Sequence, residues 1–288
     1  MTEWIESKGP ATIANLTCGF DIIGLALKDP WDRVYARKND TGKINLLEIR
    51  GNTELSQDME KNTAIIAVKE MVKKLGGGIG IDLILEKNLP LGSGLGSSAA
   101  SAAAALKAVN QLLNKPFQDI ELIPFALESE KSACGTAHGD NAAPAILGGL
   151  VVIRSYHPLD IYSIPVIPDW KIMIIHPQIK INTRDARKQI PREISLKEAC
   201  QFAANFGGFI QATLTNNIQL LKKSMTDTIV EPLRAEKIPF YDQIKQIILK
   251  NKAVVCGVSG SGPSIYSIFT EEEFMYRAEK ELIQAISN

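Results

Sequence analysis

The stretch LPLGSGLGSSAASAAAALKAVN, residues 89–110, joins a glycine-rich loop to a run dominated by alanine. Three of the five residues from Gly92 to Gly96 are glycines. Glycine lets backbone N–H groups approach a ligand closely, and alanine favours helix more than any other residue. A helix that begins near Ser97 would direct its unpaired N–H groups and the positive end of its dipole at the loop. The pattern therefore predicts a phosphate-binding loop.

Three familiar glycine motifs fit this stretch less well. A Walker loop requires lysine where Ser97 stands, and a dinucleotide-binding fingerprint requires G-x-G-x-x-G, whereas the spacing here is G-x-G-x-G. Residues 96–100 approximate the nucleophile elbow of a serine hydrolase, but that elbow is a single tight turn. A structural turn before a core helix remains open as the simplest alternative.

The two serines that follow the loop have a predicted role of their own. Ser97 and Ser98 lie where a helix N-cap is expected, and serine is a preferred N-cap residue. Magnesium prefers oxygen ligands such as a hydroxyl. We therefore expect these serines to cap the helix and one of them to offer its hydroxyl to a magnesium ion.

The charge balance argues against nucleic-acid and membrane partners. The chain has 32 basic and 32 acidic residues, so it has no net field that would attract nucleic acid or an anionic membrane.

Its N-terminus lacks a signal-peptide pattern, and no apolar run approaches the ~20 residues of a membrane span. Its four cysteines form no C-x-x-C pair. We expect a cytoplasmic protein with reduced thiols.

Strand and helix signals alternate irregularly along the chain. Apolar patterns predict strands at residues 32–39, 43–51, 80–87, 148–155, 252–260 and 264–269, and a buried strand at 170–177. Helical spacing predicts helices at residues 60–75, from 97 to before Pro116, at 195–223 and around 274–286. This mixture lacks a regular strand–helix–strand rhythm and so predicts an α+β fold. Residues 155–169 contain three prolines and no clear period, which favours a domain boundary there.

Four segments, in order along the chain, resemble motifs of the GHMP small-molecule kinases in the form found in homoserine kinases. Residues 10–27 (PATIANLTCGFDIIGLAL) resemble the N-terminal motif, and residues 90–100 (PLGSGLGSSAA) resemble the phosphate-binding motif. Residues 138–149 (HGDNAAPAILGG) resemble the H-x-D-N-x-A-P-x-x-x-G-G segment, and residues 256–269 (CGVSGSGPSIYSIF) resemble the C-terminal glycine motif. One such match is weak evidence, whereas four in order are strong evidence.

The resemblance implies a fold and a reaction. The fold is that of the GHMP kinases, with a nucleotide-binding domain like the second domain of ribosomal protein S5 at residues 1–160 and a ferredoxin-like domain at residues 161–288. The reaction is transfer of the γ-phosphoryl group of ATP to the side-chain hydroxyl of L-homoserine, which gives O-phospho-L-homoserine and ADP in threonine biosynthesis. The resemblance further implies Mg²⁺ as a cofactor and a homodimer.

The resemblance also implies which residues bind each ligand. The nucleotide-binding positions are Asn62, Lys87, Pro90, Leu91, Gly92, Ser93, Gly94, Leu95, Gly96, Ser97, Ser98, Ala99 and Ala100. The magnesium positions are Ser98 and Glu130. The substrate positions are Asn15, Asp21, His138, Asn141, Arg187 and Arg234, among which Asp21 suits the substrate ammonium and the arginines suit its carboxylate.

The catalytic assignment leaves two alternatives open. Related kinases use an aspartate of a D-N or D-Q pair as the base, and Asp140–Asn141 has that pattern. Homoserine kinases are instead described as lacking a dedicated base, so that the hydroxyl attacks directly. We hypothesise that Thr183 and Asn141 orient the hydroxyl.

Without the resemblance, most of these residues have plainer interpretations. Glu130 would lie on a solvated helix face, Asn62 would be a helix N-cap, and Lys87 would be a surface charge at a strand end. Arg187 and Arg234 would be surface charges, and His138 a partly buried histidine with a partner. Three functions compete with the favoured one: another kinase of the superfamily, a non-catalytic binding protein, and a hydrolase that uses Ser98.

Overall fold

A computed structural model describes residues 3–51, 61–135 and 138–286. The strands are β1 (Ile5–Ala14), β2 (Ile23–Asn39), β3 (Ile44–Arg50), β4 (Gly80–Glu86), β5 (Leu150–Tyr156), β6 (Leu159–Ile164), β7 (Lys171–Ile175), β8 (Val255–Val258) and β9 (Ile265–Phe269). The helices are α1 (Thr63–Lys74), α2 (Ser97–Leu112), α3 (Asp119–Cys134), α4 (Gly139–Leu147), α5 (Thr183–Lys188), α6 (Leu196–Thr215), α7 (Ile218–Ser224), α8 (Glu231–Ala235), α9 (Tyr241–Lys250) and α10 (Glu272–Ile286).

The first sheet has six strands. Its order is β3-β4-β2-β5-β6, and β1 also pairs with β2. Strands β1 and β4 run antiparallel to β2, whereas β3 and β4 are parallel and are joined through α1. Side chains of α1–α4 and of the sheet form one apolar core, in which Ala102, Ala103, Ala104 and Ala105 of α2 are completely buried. The alanine run therefore serves to pack α2 closely against its neighbours.

The second sheet is antiparallel, with the order β7-β9-β8. Helices α9 and α10 contribute Ile244, Ile248 and Ala278 to an apolar core with Val258 and Ile265 of this sheet. The prediction of a buried strand at 170–177 was wrong about burial, because β7 lies at the edge of the sheet and all five of its residues are only half-buried. Its apolar sequence resembles that of a central strand, and only sheet order distinguishes the two.

Most predicted elements are confirmed, with one further correction and one strand that was not predicted. Residues 155–169, where the sequence shows no clear period and a domain boundary was expected, contain β6. The predicted helix at 195–223 is two helices, because Asn216 adopts a left-handed conformation (φ 50°) that ends α6. Helix α1 begins at Thr63, and the proposed start at Glu60 lies outside the described residues. Together the elements form the predicted α+β fold.

The chain divides into two compact units. The first comprises the described parts of residues 1–14, 24–91 and 95–161, and the second comprises those of residues 15–23, 92–94 and 162–288. Within the described ranges, no helix is both long and apolar enough to cross a bilayer. The domain boundary expected between residues 160 and 161 stays a prediction.

Candidate active site

The glycine-rich loop between β4 and α2 depends on left-handed backbone conformations. Gly92, Gly94 and Gly96 have φ values of 67°, 80° and 64°. A Cβ on Gly94 would lie 2.5 Å from the carbonyl oxygen of Ser259 in the C-terminal glycine motif. A Cβ on Gly96 would lie 2.0 Å from Thr12 Oγ1. Glycine is required at both positions for conformation and for space.

Helix α2 begins directly after this loop, and its N-cap residue is Gly96, which has no side chain with which to cap the helix. The prediction that Ser97 or Ser98 caps the helix was therefore wrong, because both serines lie inside the first turn. The Ser97 hydroxyl instead donates to the carbonyl oxygen of Leu89 at 3.3 Å. A helix start without a side-chain cap keeps its first N–H groups for an anion.

Lys87 is a buried side chain and not the surface charge that a strand end alone would indicate. It is 3 % exposed and forms an ion pair with Asp32, which is fully buried. Burial lowers the pKa of the Lys87 ammonium, and the Asp32 carboxylate opposes this effect. Sequence reasoning missed Asp32 because it lies 55 residues away in the chain.

Asn62 and Glu130 each have a buried polar side-chain atom that makes no hydrogen bond with any other described residue. Asn62 is the N-cap of α1 and accepts from the N–H groups of Ala64 and Ile65, which agrees with its plainer interpretation. Its Nδ2 atom, however, is buried and has no hydrogen-bond partner within residues 3–51, 61–135 and 138–286. Such a buried donor is expected to have a partner in the working protein, so the amide fits a position that donates to a nucleotide.

Glu130 is 8 % exposed, so the interpretation as a solvated helix face is wrong. Its Oε1 atom is buried and has no hydrogen-bond partner in the part of the chain that the structure describes. Burial raises the pKa of this carboxyl to about 7, an effect that the Lys87 ammonium opposes. An unpaired buried carboxylate oxygen and the half-buried Ser98 match the oxygen ligands of Mg²⁺. The residues present therefore fit the metal that the resemblance implies.

The motif at residues 138–149 forms the start of α4. His138 and Asp140 are buried, and Asn141 accepts a 2.7 Å hydrogen bond from Thr12 Oγ1. The Asn141 amide also lies 3.4 Å from Asp140 Oδ1. Asn141 is thereby held beside the last glycine of the loop, since a Cβ on Gly96 would approach Asn141 Oδ1 to 2.7 Å.

In the second unit, residues 15–21 of the N-terminal motif form a strained turn. Asn15, Leu16, Thr17 and Asp21 all have positive φ values, of 72°, 41°, 64° and 62°. Non-glycine residues in this conformation cost roughly 1–3 kcal/mol each and concentrate at functional sites. The Asn15 side chain stabilises the turn, because it accepts from the Asp21 N–H at 3.0 Å and donates to the Gly260 carbonyl oxygen at 3.3 Å.

This turn contacts both predicted substrate arginines. The Arg187 guanidinium donates two hydrogen bonds to the Asp21 carboxylate, one of them at 3.1 Å. Arg234 is buried and donates to the Gly260 carbonyl oxygen. The Phe20 ring packs against both guanidinium groups, with its centroid 5.6 Å from Arg187 Cζ and 5.2 Å from Arg234 Cζ. Arg234 is therefore not the surface charge that its sequence context indicates.

Thr183 begins α5, and its hydroxyl lies 3.2 Å from that of Ser261 in the C-terminal glycine motif. The second unit thus holds Asn15, Asp21, Thr183, Arg187 and Arg234, and the first holds Asn62, Lys87, Glu130, His138, Asp140 and Asn141. Phe20 and Ser261 were not assigned from sequence, although both lie inside the four motifs. The sequence signal that could have identified Phe20 and Ser261 is their position next to Asp21 and Gly260 in these motifs.

The fold and this set of residues define a small-molecule kinase of the GHMP class. The sequence matches the GHMP kinases N terminal domain over residues 62–149 and the GHMP kinases C terminal over residues 209–285. It is 41 % identical to homoserine kinase from Chlorobium phaeobacteroides strain BS1, over 96 % of this chain and 90 % of that protein. It is 37 % identical to homoserine kinase from Methanococcus maripaludis strain S2, over 91 % of this chain and 87 % of that protein.

A crystal structure of homoserine kinase from Cytophaga hutchinsonii agrees with these matches. It superposes with a TM-score of 0.94 and 42 % identity, covering 99 % of this chain and 92 % of that one. The chain belongs to the homoserine kinase family.

Proposed function

We propose that this protein transfers the γ-phosphoryl group of ATP to the side-chain hydroxyl of L-homoserine, forming O-phospho-L-homoserine and ADP in threonine biosynthesis. The observation that carries the proposal is the cluster of Asp21, Arg187 and Arg234, which the Phe20 ring and the Asn15 turn hold in the second unit. L-Homoserine has an ammonium and a carboxylate, so it needs protein groups of both signs. A sugar or mevalonate needs no anionic partner for an ammonium.

The nucleotide is bound mainly by backbone groups. The loop at residues 90–96 and the uncapped start of α2 offer N–H groups to the phosphates. Ser98 and Glu130 would hold Mg²⁺, which when bound neutralises charge on the β- and γ-phosphates. The buried Asn62 amide is assigned to the base of the nucleotide.

The acceptor hydroxyl is oriented by Thr183 and Asn141 and attacks without a dedicated base. Phosphoryl transfer depends mostly on positioning and charge neutralisation, so a base is dispensable. We also assign His138 to substrate binding.

We further assign the protein to the cytoplasm and infer that it is a homodimer. Light scattering coupled to size-exclusion chromatography would test the homodimer.

The test of the proposed function is ADP production from ATP with and without Mg²⁺. L-Homoserine is compared with L-serine, L-threonine, mevalonate and galactose at equal concentrations. We expect turnover that is selective for L-homoserine and is abolished by EDTA. Turnover with only mevalonate or galactose would overturn the assignment of the substrate residues. Tight ATP binding without turnover on any acceptor would favour a non-catalytic binding protein.

A further inference from the structure

Three polar side chains form a buried cluster next to the glycine-rich loop. Asp32 lies in β2, Lys87 directly follows β4, and Ser101 lies in the second turn of α2. Their exposed fractions are 0 %, 3 % and 3 %. We call these residues the Asp32–Lys87–Ser101 cluster. A buried charge of this kind requires a specific partner arrangement, because its desolvation is costly.

The hydrogen-bonding capacity of Lys87 is fully used within the protein. An ammonium group has three N–H donors. One contacts Asp32 Oδ2, the second donates to the Ser97 carbonyl oxygen at 2.7 Å, and the third donates to Ser101 Oγ at 2.9 Å. Ser101 Oγ then donates to Asp32 Oδ2 at 2.6 Å. In this arrangement the ammonium has no donor left for a phosphate oxygen.

The same cluster holds both ends of the loop. Asp32 Oδ1 accepts from the N–H groups of Asn88 and Leu89, at 3.0 Å each, where the chain enters the loop. Lys87 binds the Ser97 carbonyl oxygen, where the chain leaves the loop and α2 begins. One carboxylate and one ammonium therefore connect the two flanks of residues 90–96.

We propose that Asp32, Lys87 and Ser101 are positioning residues that fix the phosphate-binding loop, and that Lys87 acts on the nucleotide through the loop backbone and not through its ammonium. This inference rests on the proposed function of the loop. It assigns a role to Asp32 and Ser101, which belong to none of the four sequence motifs, and it changes the role predicted for Lys87.

The decisive comparison is between Lys87→Met and the double variant Asp32→Asn, Lys87→Met. The single change leaves the Asp32 charge buried without its partner, whereas the double change removes both charges and keeps a side-chain oxygen at position 32 as the acceptor for the loop N–H groups. Binding of the non-hydrolysable analogue AMPPNP with Mg²⁺ is measured by calorimetry. We expect the double variant to bind AMPPNP at least about tenfold more tightly than Lys87→Met, because removal of the unpaired charge restores the loop geometry. The expected gain in binding free energy corresponds to about one charge-assisted hydrogen bond.

If the Lys87 ammonium bound a phosphate directly, both variants would lack this contact, and the double variant would bind AMPPNP no more tightly than Lys87→Met. Equal or weaker binding by the double variant would overturn the inference. If Lys87→Met does not fold and the double variant folds and binds, the coupling of Lys87 to Asp32 is supported. If wild-type protein fails to bind AMPPNP, the proposed function itself fails, and this inference fails with it.

Ser101→Ala supplies a second test that does not depend on a buried charge. Alanine suits this helix, where Ala99, Ala100 and Ala102 are neighbours. We expect the KM for ATP to rise about five- to tenfold with the KM for L-homoserine within twofold, because the change removes the hydrogen bonds of Ser101 Oγ with Lys87 and Asp32. The control is Ser267→Ala, an equally buried serine in β9. An unchanged KM for ATP in Ser101→Ala would contradict a positioning role.

Discussion

Gly96 illustrates how a single residue controls the phosphate-binding loop. In Gly96→Ala the new methyl group would meet Thr12 Oγ1 at 2.0 Å and force a left-handed conformation on alanine, which costs roughly 1–2 kcal/mol before any clash. We expect kcat/KM for ATP to fall at least about tenfold, because the clash displaces the loop from the start of α2. Gly77→Ala is the matched control, since Gly77 has a φ of 77° but nothing within 4 Å of its Cβ position. Equal kinetics in the two variants would show that loop geometry does not limit the reaction.

Phe20 is expected to act on substrate affinity through the two arginines it contacts. Phe20→Leu keeps an apolar side chain but removes both cation–π contacts, each worth about 0.5–2 kcal/mol. We expect the KM for L-homoserine to rise about tenfold and the KM for ATP to stay within twofold. Phe274→Leu serves as the control, because Phe274 makes two similar contacts with Lys252 and Arg277. A similar rise in both variants would mean that the effect is general destabilisation.

Variants at two single residues distinguish direct attack by the hydroxyl from catalysis by a base. If the hydroxyl attacks directly, Thr183→Ala should lower kcat by about ten- to a hundredfold through lost orientation, and Asp140→Asn should keep most of the turnover. Steady-state kinetics on both variants would decide the matter. Loss of turnover in Asp140→Asn with unchanged substrate affinity would identify Asp140 as the base.

At the scale of elements, Asn62 has two separable roles in α1. Asn62→Ser keeps a good N-cap residue but lacks the amide donor, whereas Asn62→Ala loses both. We expect the free energy of unfolding to fall by about 1 kcal/mol in the alanine variant and by less in the serine variant. Both variants should raise the KM for ATP if the buried Nδ2 donates to the nucleotide. Denaturant unfolding and steady-state kinetics measure the two effects separately, and an unchanged KM in both would remove Asn62 from the nucleotide site.

For some helices and strands, the local sequence pattern was sufficient to predict the structure, and for others it was not. Helix α2 and its loop follow from residue type, because glycine permits positive φ and alanine favours helix. Strand β6 was missed because its half-exposed sequence between prolines has no clear period. Strand β7 was predicted, but its edge position was not, since an apolar run has the same appearance at the edge and at the centre of a sheet.

For the whole molecule, nucleotide binding should raise stability by mass action. At a free AMPPNP concentration of about 100 times Kd, with saturating Mg²⁺, we expect the free energy of unfolding to increase by about 2.7 kcal/mol. Glu130→Gln should reduce the part of this gain that depends on Mg²⁺, because a neutral amide is a weaker ligand for a hard cation. Thermal unfolding with and without Mg²⁺ measures both quantities. An identical Mg²⁺-dependent gain in the variant would exclude Glu130 as a magnesium ligand.

The order of the four motifs along the chain was sufficient to identify the family, because loops and helix starts are determined by residues that are adjacent in the sequence. The partners of the charged residues were not accessible in this way. Lys87 meets Asp32 across 55 residues, and Arg187 meets Asp21 across 166 residues. Whether a lysine, a glutamate or an arginine is a solvated surface charge or a buried functional group depends on the segments that fold over it. Burial and long-range pairing set the energies of these charges, and both exist only once the chain has folded.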